Sequence, residues 1–77
     1  MNENERIINN LDDAIVSMGV SRTNLELVRR NMIDGIKNPG ARIASFDIDV
    51  LDATILNMMA NEQMMRAVLV EYKARQD

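Results

Sequence analysis

Met18-Gly19-Val20-Ser21-Arg22-Thr23-Asn24-Leu25-Glu26 is the stretch on which the fold turns. A glycine after a run of apolar residues is the expected left-handed stop of a helix. Thr23 and Glu26 stand three apart, the spacing of a capping box, and Ser21 offers an alternative cap. The stretch therefore predicts a break, with one helix on each side. Upstream, Ile7, Ile8, Leu11, Ile15 and Met18 share one helical face, which places helix 1 at about residues 3–18. Its acidic start suits the helix dipole. Downstream, Leu25, Val28, Met32 and Ile36 define helix 2 at about 23–37, and Asn38-Pro39-Gly40 ends it.

Residues 41–46 read as a short connection. Ser45, Asp47 and Asp49 compete to cap a third helix, placed at about 47–75, and Asp47, Asp49 and Asp52 suit its positive end. Ile48, Leu51, Ile55, Met58, Glu62, Met65, Leu69 and Tyr72 follow alternating steps of three and four, and only Glu62 breaks this seam. Glu62 is either a register-setting polar residue or the point where the core ends, and Arg66 one turn on could hold it in a surface pair. Leu56, Met59, Val68 and Val70 widen the apolar surface beyond what one neighbouring helix covers. The Met cluster (Met58, Met59, Met64, Met65) reads as core or self-association seam before adaptable partner groove. The expected fold class is all-α: two short helices forming a corner and one long C-terminal helix, in an oligomeric helical bundle.

Composition agrees with a helical chain. Of 77 residues, 47% are hydrophobic but only 3% aromatic, Phe46 and Tyr72, with seven Met and no Trp; a β-protein leans on aromatic and β-branched residues instead. One domain fits this length. With no Cys and no His, disulfides, zinc fingers, Cys nucleophiles and His-based triads are excluded. Asp47, Asp49 and Asp52 lack the glycine and the distal acid of a calcium loop, so no metal is expected. Three helices this small offer little concavity for acid–base chemistry. An enzyme is not expected, nor a cofactor, a small-molecule substrate or a membrane partner. Apolar runs fall well short of a membrane span, and the acidic N-terminus is unlike a signal peptide; a cytoplasmic location is expected.

Ala14 to Arg30, with Gly19-Val20-Ser21-Arg22 at its centre, resembles the helix-turn-helix of bacterial and phage DNA-binding proteins. The resemblance covers about seventeen residues. It implies a tight corner at Gly19, Val20 plugging the angle between helices, and Leu25 and Val28 packed on Ala14 and Met18. Ser21, Arg22, Thr23 and Asn24 would lead into the major groove, with Arg29 and Arg30 near phosphates. Ile15 departs from the family pattern, which has a small residue where the helices touch. Residues 20–42 carry five basic and two acidic residues, +3, between segments of −3 each, which sum to the net −3. A Gly-Val-Ser corner also joins plain antiparallel helices, and exposed arginines are ordinarily just solvated.

Two functions compete on this reading. One is a small DNA-binding protein for transcription regulation that dimerises through helix 3. The other is an oligomeric protein–protein interaction module (an adaptor, an inhibitor or a self-assembling helical subunit) acting through the Met-rich helix. The interface expected in either case is Ile48, Leu51, Ile55, Met58, Met59, Glu62, Met65, Leu69 and Tyr72. Area scaling gives a folded chain of 8.7 kDa roughly 4,700 Å² of accessible surface.

Overall fold

The computed structural model describes residues 2–38 and 40–76, and in them the chain forms two helices, α1 (Glu3–Gly35) and α2 (Ser45–Ala74). The all-helical class holds; the three-helix count does not. Residues 3–18 and 23–37, expected as separate helices, lie almost wholly within one. No described glycine has positive φ, so Gly19 makes no corner. The helix stop assigned to Pro39 lies outside the described residues.

The physical reason for the continuous helix lies in its buried face. Leu11, Ile15, Met18, Arg22, Leu25, Arg29 and Met32 are buried or half-buried, in steps of four and three. This ladder is in phase across Gly19, and its two charged rungs, Arg22 and Arg29, are those a purely apolar pattern leaves out. On α2 all eight seam residues from Ile48 to Tyr72 are likewise buried or half-buried. The two ladders zip together as an antiparallel helical hairpin. Its register is pinned by Arg22 with Glu62, Arg29 with Asp52, and the Tyr72 hydroxyl donating to Asn4 Oδ1 at 2.9 Å. Breaking α1 at Gly19 would interrupt this zipper. Glycine's helix penalty of about 1 kcal/mol is smaller than the burial that continuity secures. Val28 and Ile36, expected on the buried face, are 40% and 51% exposed because the seam passes through Arg29 instead. Val20, expected as a plug, is 56% exposed.

The ends are set locally. The Asn2 side chain accepts the Glu5 N–H at 2.8 Å and caps α1. Asn2→Ala should therefore lower stability by about 1 kcal/mol, read as a fall in the urea midpoint at constant slope. At α2 the cap is Ala44, and Asp47 at the third helical position accepts the Ala44 N–H at 3.0 Å. Of the three competing cappers, Asp47 acts, though from inside the first turn. Thr23, expected to cap, instead donates its hydroxyl to Gly19 O at 2.9 Å within α1.

The molecule is a rod of 59 × 19 × 12 Å with a radius of gyration of 17.6 Å. A compact chain of this length would have about 11–12 Å. Among the described residues only Ile15, Ile55 and Leu69 are buried apolar residues, and the accessible surface is 5817 Å². That exceeds the roughly 4,700 Å² expected of a globule of this mass by about 1,100 Å². No described helix is long and apolar enough to cross a membrane.

Candidate functional site

Midway along the rod the apolar seam is interrupted by charge. Glu62 is 5% exposed, and its Oε2 accepts Arg22 Nε at 2.6 Å, with Arg22 Nη2 to Oε1 at 3.4 Å. Arg22 Nη1 reaches Glu26 one turn on at 2.8 Å, so one guanidinium serves two carboxylates. Both carboxylates, Glu62 first, hold the Arg22 pKa above its ordinary value. Room for Glu62 comes from Gly19, where a Cβ would sit 3.3 Å from Glu62 Oε1. The glycine read as a turn is thus a place of close approach.

Two opposing effects meet at that position. Gly19→Ala gains up to about 1 kcal/mol of helix propensity but presses on a carboxylate held in place by Arg22. It should be near neutral in the wild-type chain and stabilising by about 1 kcal/mol in a Glu62→Ala background. Thermal melts of the four proteins of this cycle measure the difference.

An open groove of about 390 Å³ runs beside the ion pair, lined by Val16, Gly19, Val20, Arg22, Glu62 and Arg66 among others. A ligand site needs polar groups left to converge on a guest. Here the main ones answer each other, and no buried side-chain nitrogen or oxygen among the described residues lacks a partner.

The residues singled out in the sequence are redistributed by this fold. Arg22 and Arg29 turn into the hairpin, toward Glu62 and Asp52. Ser21, Thr23, Asn24 and Arg30 are exposed in the middle of an unbroken helix and do not open one. Of the expected oligomer interface, Ile48, Leu51, Ile55, Met58, Met59, Glu62, Met65, Leu69 and Tyr72, all but Met59 are covered by α1 of the same chain. Its one exposed member is Met59, at 41%.

The hairpin leaves two broad faces, one on each flank of the seam, and they differ in charge. One carries Gly19, Glu26, Asp52, Met59 and Arg66, as the grooves and ion pairs on that side show. The other was not recognised in the sequence. On α1 it presents Ala14, Ser17, Ser21, Asn24, Val28 and Asn31, in steps of three and four, all exposed, with Asn24 on the outer ridge of α1 where it also edges the open groove. On α2 it presents Val50, Thr54, Asn57, Asn61, Met64 and Val68 in the same rhythm, also exposed. None of these twelve side chains is charged, in a chain with 21 charged residues (nine basic and twelve acidic). Charges fall on this flank only toward the ends of the rod, at Glu3, Asp47, Glu71 and Arg75. No family model, no curated protein and no solved structure matches the chain.

Proposed function

We propose that this chain is a non-catalytic helical interaction module whose working surface is a long side of the hairpin. The observation that carries this reading is the surplus of about 1,100 Å² of accessible surface over a globule of equal mass. Part of the surplus is apolar and lies along one side: Val28, Val50, Met64 and Val68 are each at least 40% exposed. Patches of that kind on a small chain mark surfaces that other macromolecules cover. This is the second of the two functions expected from the sequence, with the working surface moved off the α2 seam.

The geometry favours this reading over duplex binding. Its recognition helix needs a free N-terminus aimed at the groove, and residues 21–24 lie mid-helix with Arg22 committed to two carboxylates. A random-sequence labelled duplex, titrated with the protein between about 50 and 200 mM salt, tests the reading. A flat anisotropy signal is expected. Salt-sensitive binding that disappears when Arg29 and Arg30 are reversed to glutamate would replace the interaction module with a nucleic-acid binder.

A further inference from the structure

We propose that the uncharged face, centred on Ser21 and Asn24 of α1 and Asn57 and Asn61 of α2, is the docking site for a second copy of this chain. Two hairpins meet there face to face in a two-fold four-helix bundle. The inference rests on the interaction-module reading and names its partner.

Charge argues for a second copy over any other occupant. In a two-fold interface the same patch supplies both sides, so a patch with net charge opposes its own image. A patch meant for a different partner has no such constraint and can use charge to select it. Here the chain has net charge −3, yet its middle flank is free of charge on both helices. The polar groups that replace charge there suit self-pairing. An asparagine amide both donates and accepts, so it can pair with its own copy. Nucleic acid and anionic lipid need basic side chains, and this face has none along its centre.

Area points the same way. The whole broad face of the rod, 59 by 19 Å, projects about 1,100 Å², of which the uncharged middle, about 26 Å long from Ala14 to Asn31, makes up roughly 500 Å². Covering the uncharged middle alone on two chains removes roughly 1,000 Å², about the least a specific interface needs, and contact over the full face up to roughly 2,200 Å². Shape permits the approach. Ala14, Ser17 and Ser21 are short, so α1 can come close to a neighbouring helix, while Val28, Val50, Met64 and Val68 flank the asparagines with exposed apolar surface (40%, 45%, 62% and 44%). Buried asparagines in a helical interface fix one alignment among several, since misalignment leaves amides without partners.

Sedimentation equilibrium of the whole chain with two sets of variants tests this. The wild-type chain is expected at twice its 8.7 kDa mass at micromolar concentration. Ser21→Glu/Asn61→Glu places like charges in the middle of the joint and should weaken the dimer on the order of 100-fold or more, giving 8.7 kDa with unchanged helical circular dichroism. Val16→Glu and Leu56→Glu, on the opposite flank, should keep the doubled mass. If either face variant loses helix, Asn57→Lys and Gln63→Lys substitute for the uncharged and the charged flank. A wild-type chain that stays monomeric overturns the inference; with a flat duplex titration the interaction-module reading survives it. A dimer broken by Val16→Glu or Leu56→Glu but not by the Ser21 and Asn61 changes overturns the choice of face. A monomer that shifts on adding duplex or anionic vesicles overturns the inference as well.

Discussion

An Arg22→Met variant melts on the order of 10 °C below the wild-type chain, and Arg22→Met/Glu62→Leu recovers most of that loss. Glu62 is 5% exposed and sits where the seam on either side is apolar. Removing the guanidinium strands a carboxylate that has no other cation within hydrogen-bond reach among the described contacts. Removing both charges returns the rung to the chemistry of its neighbours. Replacing a buried ion pair by fitted apolar residues is commonly neutral or stabilising, whereas breaking it from one side is not. A double variant as unstable as the single one would show that the pair stabilises the fold in its own right. The pH response follows from the same contact. The Arg22 pKa is raised on folding, so its contribution is fully present below the unfolded value and fades only as pH climbs through the folded one, in strong alkali. The gap in melting temperature between wild type and double variant should therefore stay constant from pH 7 to 10.

Ile15→Ala lowers stability by about 2–4 kcal/mol, the largest loss expected of any apolar truncation in this chain. Ile15 is 3% exposed, and only Ile55 and Leu69 among the described apolar residues are comparably enclosed. In a rod two helices thick few side chains are surrounded on all sides, so the burial there is concentrated in these rungs. Chemical denaturation at fixed protein concentration measures it. The same change at Val16, one residue on but 65% exposed, should fall within about 0.5 kcal/mol of wild type in the monomer. A small effect at Ile15 would mean that the seam closes over the missing atoms.

The seam of α2 was readable residue by residue from alternating steps of three and four over 25 residues, Ile48 to Tyr72, but its partner was not: it was assigned to another copy, and α1 of the same chain covers it. The seam of α1 was legible only in two halves. Glycine carries the same letter whether it ends a helix or makes room for a neighbour, and at Gly19 the turn reading was also supported by Thr23 and Glu26. The signal that decides is longer in range. Admitting Arg22 and Arg29 as rungs joins Leu11 to Met32 without a phase change, and Glu62 on α2 then supplies the countercharge that lets Arg22 lie inward. Charged residues are ordinarily assigned to the solvent side of a helix, so Arg22 and Arg29 were left off the ladder and nothing weighed against the stop read at Gly19. The uncharged face was harder still. Its twelve residues are scattered among charged ones in the sequence, and they form a surface only after the antiparallel register is known.

The hydrogen bond between Tyr72 and Asn4 links residues 68 positions apart and lies at one pole of the rod. The connection near Gly40 lies at the other. Both arms therefore leave from the same pole, and the turn is a remote tip on the order of 50 Å away, the span of a 33-residue helix. Dyes at positions 2 and 76 should transfer energy strongly to each other and far more weakly to a dye at position 40. A pull on the hairpin's two arms opens rungs one at a time from the Tyr72 pole, and the Arg22–Glu62 rung is the polar latch met halfway.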